Sequence, residues 1–335
     1  MKNMKIIAAL GVAALVALSP ASASASAADW IRQTLSRASS DPGMCGVENA
    51  AARGTLSRLG GLELPEQGKV LVVNIPSGIV TAYEDGVPVI ESKAVVGGAE
   101  TQTPEMDTHV TYVRPNPTWT VPQSIIKRKG WLSKLRNNPS FFDENGFDVM
   151  VGGQAVPASE AAQDTSSVTG FVQRPGPGNA LGALKIGIRN DQAIYLHDTN
   201  DPGKFESEVR AASAGCVRIE KVRDIAAWIL GVSTGEIDAM IDGGDTSNHS
   251  PAGEVRVILG YWTAWPDDSG TLRYYPDIYN LDGEGAQCTP SRDGAGYADP
   301  QGQWGYDEPA PERPRFEPEQ VGRPARPQWT EYQVR

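Results

Sequence analysis

The sequence predicts a mainly β domain with helices, built around a β-meander that belongs to a sandwich or an open barrel. Runs rich in β-branched residues follow one another at 70–75, 79–83 and 87–96, as expected for neighbouring strands. The dipeptide Asp85-Gly86 between the last two runs is a strong signal for a two-residue hairpin. Helical periodicity is clearest at 220–230, where the apolar residues form one stripe and Gly231 follows.

Each further element has its own signal. A polar lead-in segment, residues 28–66, carries two short helix-like stretches and receives no functional assignment. Residues 124–135, after a rigid Pro-containing loop, read as a basic helix. We favour a solvated helix face there, and the alternative is a lid or a clamp for an acidic polymer. Residues 139–172 are loop-rich and predict an irregular flap.

The second half of the domain completes the pattern. Short strands are expected at 185–188 and 193–196, and longer ones near 255–262 and 271–275. Ser233 with Glu236 forms a capping-box signature that starts a helix ending near Asp242. We place the whole domain at residues 67–288. The tail, residues 289–335, is rich in Pro, Arg and Glu with few aliphatic residues, and we expect it to be disordered.

The first residues predict export. Lys2 and Lys5 precede an apolar stretch, residues 6–18, and overlapping small-x-small triplets follow at 21–27. This pattern predicts a secretory signal peptide over residues 1–27, and an N-terminal membrane anchor is the alternative. No later segment is apolar and long enough to span a bilayer, so we expect no integral membrane segment after cleavage, and the periplasm is the expected location.

Composition excludes several classes of function. The formal net charge is −11, which argues against nucleic acid because phosphate neutralisation needs a basic face. No CxxC or HxxxH spacing is present, so we predict neither a metal site nor a cofactor. GxSxG and Walker A motifs are also absent, and nothing singles out a glycosidase-like pair of carboxylates. Of the three cysteines, Cys45 and Cys288 lie in polar surroundings and are the simplest disulfide pair, which leaves Cys216 free.

Cys216 is the strongest candidate for chemistry. It follows small residues in Ser213-Ala214-Gly215-Cys216, where the backbone can approach a substrate closely. A thiol nucleophile needs a base within reach and backbone N–H groups aimed at the developing oxyanion. We assign His197 as the general base, because it ends an apolar strand, and the peptide N–H groups of Gly215 and Cys216 as oxyanion donors. The other histidines, His109 and His249, have weaker contexts.

These residues resemble the signature of the L,D-transpeptidases, whose catalytic domain is of the YkuD type. The resemblance covers about 69–282 and is closest to the YcbB-like periplasmic branch. Ala214 stands where the common form of the motif has His, and the branch's large N-terminal scaffold and sugar-binding module are not evident. The shared stretches are 72–76, 95–97, 102–104, 116–122, 176–182, 195–199, 213–218 and 277–279.

The resemblance implies a mixed β-sandwich with a short capping insertion at about 124–172, which serves as a lid. It also implies that Cys216 attacks the tetrapeptide stem of peptidoglycan, expels the terminal D-alanine and forms a thioester that a neighbouring stem resolves. A direct link between two diaminopimelate residues results. A backbone carbonyl orients His197 in this scheme, and carbapenem-type β-lactams are the implied inhibitors.

Further residues receive roles beside these two. Ser213 is expected to form hydrogen bonds within the site. Arg210 and Arg218 flank the motif, and either bind a substrate carboxylate, hold the Cys216 loop or form a structural ion pair. Trp119 and Tyr195 are wall or core residues that at most line the groove.

Four alternatives stay open at this point. Water in place of the amine gives an L,D-carboxypeptidase, and attack on a finished cross-link gives an L,D-endopeptidase. The same chemistry can also couple a protein to the wall. A non-catalytic scaffold that binds the wall is the alternative of another class, and the presence of both Cys216 and His197 argues against it.

Overall fold

A computed structural model describes residues 27–41, 43–44, 46–60, 62, 67–267 and 271–283. Residues 1–26 of the predicted signal peptide lie outside these ranges, as do both proposed disulfide partners, Cys45 and Cys288, and the tail 289–335. Within the described ranges, none of the helices combines the length and the apolar character that crossing a bilayer requires.

The lead-in segment forms a helical layer on the outside of the β domain. Helices α1 (Ala27–Ser40) and α2 (Gly46–Arg58) pack on each other. Their apolar residues share a core with Val70, Val72 and Ile258 of the sheet. Because this layer covers the outer face while the main core covers the inner one, both faces of the first strand are buried, which explains its unbroken apolar run.

The first three strands form a meander, as predicted. They are β1 (Lys69–Asn74), β2 (Ile79–Glu84) and β3 (Val87–Gly97). Strand β2 pairs antiparallel with β1 on one side and with β3 on the other. The next strand, β4 (Met106–Pro115), does not continue the meander, because it lies between two later strands of the sheet and not beside β3. Asp85 and Gly86 both have positive φ, 50° and 75°, which is the conformation that a type I′ hairpin turn requires.

A separate unit follows between Trp119 and Gln173, close to the predicted insertion. We call it the capping unit. Its elements are β5 (Trp119–Thr120), α3 (Gln123–Arg128), α4 (Trp131–Asn137), α5 (Ser140–Glu144), β6 (Phe147–Val151), β7 (Gln154–Val156), α6 (Ala158–Ala161) and β8 (Val168–Gln173), with a 3₁₀ turn at Thr165–Ser167. The strands form their own four-stranded sheet in the order β5-β8-β6-β7.

Two expectations for this unit are wrong. The predicted basic helix at 124–135 is divided into α3 and α4, because Gly130 adopts a left-handed conformation with φ 59° and interrupts the helix. The predicted irregular flap is a folded unit with a core of its own. At its centre the Trp131 ring meets the rings of Phe147 and Phe171 edge-on at 4.9 and 5.2 Å, a favourable aromatic geometry.

The second half of the domain returns to the main sheet. Its strands are β9 (Leu184–Ile188), β10 (Tyr195–His197), β11 (Ala211–Ser213), β12 (Val217–Ile219), β13 (Val255–Gly260), β14 (Ala264–Pro266) and β15 (Leu272–Tyr274). A 3₁₀ helix at Pro202–Glu206 and the helices α7 (Val222–Leu230) and α8 (Thr234–Asp242) lie among them. Ser233 and Glu236 form the predicted capping box of α8, and Gly231 ends α7 with φ 68°.

The architecture is mainly β with helices, as predicted. The main sheet has the order β11-β3-β12-β10-β9-β4-β13-β1-β2, and β2 also pairs with β3. The long strands β3 and β4 therefore connect two layers of a mixed sandwich at both edges. The main core lies inside it and receives the apolar stripe of α7. The parallel pairs within this sheet are β1 with β13, β10 with β12 and β11 with β3.

Candidate active site

Two adjacent parallel strands bring the predicted catalytic residues together. In the pairing of β10 with β12, Leu196 lies opposite Val217 and His197 opposite Arg218. Leu196 and Val217 are fully buried in the core. Because side chains alternate along a strand, Tyr195 and His197 share the other face. They line one cavity of about 430 Å³ together with Cys216 and Arg218.

The turn before Cys216 depends on glycine and on Ser213. Gly215 has φ 115°, a conformation that other residues rarely adopt. Ser213 Oγ donates to the carbonyl of Cys216 at 2.5 Å and accepts the N–H of Gly215 at 3.0 Å. The hydroxyl thus forms hydrogen bonds within the site. The assignment of Gly215 as an oxyanion donor does not fit this arrangement, because its N–H is already bound.

The Cys216 thiol is only partly exposed by surface area, and its Sγ lies 3.7 Å from the carbonyl oxygen of Ala193. Burial raises the pKa of this thiol, since removing water disfavours the thiolate. Tyr195, Lys185 and Arg218 oppose that shift without cancelling it. The resting site therefore holds a neutral thiol, and not a preformed thiolate.

His197 is buried and uncharged. Burial lowers the pKa of its imidazole to about 3, and the nearby positive charge of Arg218 acts in the same direction. Its Nδ1 is buried without a hydrogen bond of standard geometry among the described residues. The backbone of Asp198 and of Leu181 nevertheless lies close enough to the imidazole to oppose part of this pKa shift, so an orienting backbone carbonyl stays a prediction. The Asp198 carboxylate accepts the N–H of Ala183 at 2.8 Å, and Asp198 is not among the residues that line the cavity.

The two arginines separate into different environments. Arg218 lines the cavity, and its Nε is buried without a hydrogen-bond partner in the described part of the chain. Arg210 lies outside the residues that line this cavity. Its guanidinium donates to the carbonyl oxygens of Ser77, at 2.7 Å, Gly78 and Ser207. The expectation of a substrate-binding role for Arg210 is therefore replaced by a structural one, in which it fixes the β1–β2 turn.

Aromatic residues form part of the cavity wall. Tyr195 and Trp119 both line it. Burial, followed by the neighbouring Cys216, raises the pKa of the Tyr195 phenol, which therefore stays protonated. Lys185 Nζ lies 4.1 Å from the centre of the Tyr195 ring, a cation–π distance. Trp119 belongs to β5 and carries the wall into the capping unit.

The cavity is more positive than the chain as a whole. Arg128 and Lys129, from the end of α3, line it with Arg218, and Asp201 is its one acidic lining residue among those the structure describes. The basic run at 127–129 was the signal for these two residues, which are exposed and also line the cavity. Sequence reasoning missed Thr101 and Thr103, whose hydroxyls donate to the carbonyls of Ser213 and Gly215.

Comparisons with known proteins identify the family of the chain. The profile of the YkuD family, described as the L,D-transpeptidase catalytic domain, matches residues 68–237. A provisionally named L,D-transpeptidase of Haemophilus influenzae is 31% identical over 225 residues, which cover 65% of this chain and 46% of that protein. The chain thus spans about half the length of the curated relative it matches.

Solved structures with similarity to the chain include an L,D-transpeptidase from Mycobacterium smegmatis, at 14% identity and a TM-score of 0.29, covering 57% of this chain and 58% of that one. An L,D-transpeptidase in complex with imipenem matches at 13% identity and a TM-score of 0.28, with the same shares covered. The Ldtfm-avibactam carbamoyl enzyme matches at 13% and 0.29, covering 56% of this chain and 48% of that one.

Family membership rests on the sequence profile, which covers half of the chain and contains His197, Cys216 and Arg218. The YcbB-like branch stays a prediction. The chain belongs to the L,D-transpeptidase family with the YkuD catalytic domain.

Proposed function

We propose that the protein is a cysteine-dependent L,D-transpeptidase that forms direct diaminopimelate–diaminopimelate cross-links in peptidoglycan. The observation that carries this proposal is one cavity that brings together a free thiol, Cys216, a neutral imidazole, His197, and the guanidinium of Arg218, whose Nε has no hydrogen-bond partner among the described residues. The predicted signal peptide supports action outside the cytoplasm, in the periplasm.

The chemistry begins with proton transfer. His197 is neutral at physiological pH, so it can accept the proton of the Cys216 thiol as the sulfur attacks the substrate carbonyl. Because burial keeps the thiol protonated in the free enzyme, this transfer accompanies attack and does not precede substrate binding. Titration of the thiol alone therefore does not separate an enzyme from a scaffold.

Bond changes follow in two steps. Sγ bonds to the carbonyl carbon of the diaminopimelate L-centre, and the carbonyl oxygen becomes an oxyanion that a backbone N–H stabilises. The oxyanion collapses, the C–N bond to D-alanine breaks, and His197 returns the proton to the departing amine. An amine of a second stem then attacks the thioester carbonyl and forms the C–N bond of the cross-link. The C–S bond breaks, and the proton that the amine loses passes through His197 to the Cys216 sulfur.

Positive charge in the cavity suits an anionic substrate. Peptide stems carry carboxylates, and a half-buried guanidinium whose Nε has no hydrogen-bond partner among the described residues gains a charge-assisted hydrogen bond when one binds. Arg218 is the side chain placed for this next to Cys216. Arg128 and Lys129 of the capping unit add positive charge from the other wall, which supports the role of that unit as a lid over the donor stem.

The same site supports β-lactam acylation. Two of the similar structures are described with imipenem and as a carbamoyl enzyme with avibactam. We expect a carbapenem to acylate Cys216 in this protein, because its strained amide carbonyl can occupy the position of the stem carbonyl. Peptide mapping locates the adduct, and a carbapenem mass on any other residue would contradict the site.

The direct test uses disaccharide-tetrapeptide muropeptides as substrate, with the wild-type protein and Cys216→Ala compared by mass spectrometry. A dimer that has lost one D-alanine, absent with the variant, establishes transpeptidation. A tripeptide monomer in its place identifies a carboxypeptidase. A dimeric muropeptide as second substrate tests endopeptidase action. No product from either substrate would favour the non-catalytic scaffold.

A further inference from the structure

The backbone of the Cys216 turn is held from behind by the loop that joins β3 to β4. Thr101 Oγ1 donates to the carbonyl of Ser213 at 2.8 Å, and Thr103 Oγ1 donates to the carbonyl of Gly215 at 2.8 Å. Thr103 also accepts the N–H of Gly97 at 2.8 Å and is 3% exposed. A hydroxyl has one proton, and since Gly97 occupies the acceptor side, that proton is committed to Gly215.

A second set of hydrogen bonds fixes Thr103 itself. Tyr279 Oη accepts the N–H of Thr103 at 3.0 Å and donates to the carbonyl of Gly97 at 2.8 Å. The N–H of Tyr279 donates to Tyr261 Oη at 2.8 Å, and that hydroxyl donates to Asp277 Oδ1 at 2.6 Å. The network therefore extends from the Asp277 carboxylate to the Gly215 carbonyl.

The loop fits closely against strand β3. A Cβ on Gly97 would lie 2.0 Å from the carbonyl oxygen of Thr101, so glycine alone allows this approach. Tyr261, Asp277 and Tyr279 all lie beyond residue 237, where the family profile ends its match. The support of the Cys216 turn is thus supplied partly by a segment outside the matched catalytic domain.

This support determines where the next peptide N–H points. In a trans peptide the C=O and the following N–H point to opposite sides, and the structure contains no cis peptide among the described residues. The Gly215 carbonyl points towards Thr103, so the N–H of Cys216 points away from it. The N–H of Gly215 is occupied by Ser213 Oγ, so of the two peptide N–H groups first assigned to the oxyanion, that of Cys216 stays available.

We propose that Thr103, held by Tyr279, is a positioning residue that orients the Gly215–Cys216 peptide so that the Cys216 N–H stabilises the oxyanion formed when Cys216 is acylated. The inference deepens the proposed function and rests on acyl transfer at Cys216. It does not depend on the identity of the natural acyl donor.

Two probes with different transition states separate this role from general damage. With p-nitrophenyl acetate, Sγ bonds to the carbonyl carbon, an oxyanion forms, and its collapse breaks the C–O bond and releases p-nitrophenolate. With iodoacetamide, Sγ displaces iodide from carbon in one step and no oxyanion forms. Both reactions are followed at pH 7.5 on the full chain as the modified fraction of the Cys216 peptide, so the other two cysteines do not contribute.

Thr103→Val removes the hydroxyl at nearly constant shape. We expect acylation of Cys216 to slow roughly 10²-fold, towards the loss that removal of an oxyanion donor causes, while alkylation changes by less than about 3-fold. Thr103→Ser keeps a hydroxyl and should restore most of the acylation rate. Tyr279→Phe should give a smaller loss in the same direction, because it loosens Thr103 without removing its hydroxyl.

Thr55→Val is the matched control. Thr55 is a fully buried threonine whose hydroxyl accepts the N–H of Ala264 at 3.0 Å, in the core beneath the helical layer. It should leave both rates unchanged. The proposal is overturned if Thr103→Val slows both reactions equally, or neither. Failure of the muropeptide assay in the wild-type protein would reject the proposed function alone, since the ratio of the two rates does not involve a peptide stem.

Discussion

Acidification should destabilise this protein through His197. The folded imidazole has a pKa of about 3, whereas an unperturbed imidazole titrates near 6.5. As pH falls below about 6.5, the imidazole of residue 197 binds a proton in the unfolded chain but stays neutral in the folded protein. Protonation in the fold would bury a charge beside Arg218, so stability that is complete above pH 6.5 is lost progressively until the folded pKa is reached.

The size of the effect follows from the two pKa values. At pH 5 the unfolded chain is favoured through this residue by RT ln(1 + 10^1.5), which is about 2 kcal/mol. Any folded pKa below about 4 gives the same result at this pH, because the folded imidazole is then still neutral. The prediction therefore depends on burial of His197 and on little else.

His197→Gln removes the titrating group and keeps an amide of similar size. We would measure the free energy of unfolding in urea for both proteins at pH 7.5 and pH 5.0, after checking that unfolding is reversible. The wild type should lose about 2 kcal/mol more than the variant between the two pH values. His109, His249 and the carboxylates contribute equally to both proteins and cancel.

Equal losses in the two proteins would refute the reasoning. Such a result would mean that His197 takes up its proton in the folded state near pH 6 and is therefore solvated. Its assignment as a neutral base in the resting site would then fail. A larger loss in the variant would point the same way.

Three further predictions concern the same site. Alkylation of Cys216 by iodoacetamide should still be rising above pH 9, because burial raises the thiol pKa above its ordinary value; a plateau near pH 7 would contradict this. Gly215→Ala should lower the free energy of unfolding by about 1–3 kcal/mol and slow acylation of Cys216, because alanine is strained at φ 115°; thermal melts and p-nitrophenyl acetate kinetics report the two effects. Arg218→Ala should raise KM for the muropeptide about 10-fold or more. Arg210→Ala should lower the free energy of unfolding by about 1–3 kcal/mol and leave KM unchanged. A raised KM in Arg210→Ala and an unchanged KM in Arg218→Ala would reverse their roles.

Local patterns were sufficient for much of the fold. The hairpin at Asp85-Gly86, the capping box at Ser233 and the glycine cap of α7 each depend on neighbours within a few residues. The position of the capping unit was predicted, but its folded core was not. Its core residues, such as Phe142 and Phe171, are scattered among polar positions without a helical or strand period, and they come together only through tertiary packing.

The residues of the site also differ in how far the sequence could reveal them. Cys216 and His197 stand out because their residue types are rare in this chain and their contexts are distinctive. The role of Arg210 could not be read from its nearness to the motif, since its carbonyl partners Ser77 and Gly78 lie more than 100 residues away. Thr103 meets Gly215 across 112 positions and Tyr279 across 176. No local pattern marks such contacts.

Acylation of Cys216 by a peptidoglycan stem is the step on which the proposed function depends. The most direct measurement is rapid acid quench of the wild-type protein with disaccharide-tetrapeptide, followed by peptide mapping. We expect a disaccharide-tripeptide mass on the Cys216 peptide, with one D-alanine released for each adduct. An adduct on another residue, or D-alanine release with equal rate from Cys216→Ala, would contradict the account.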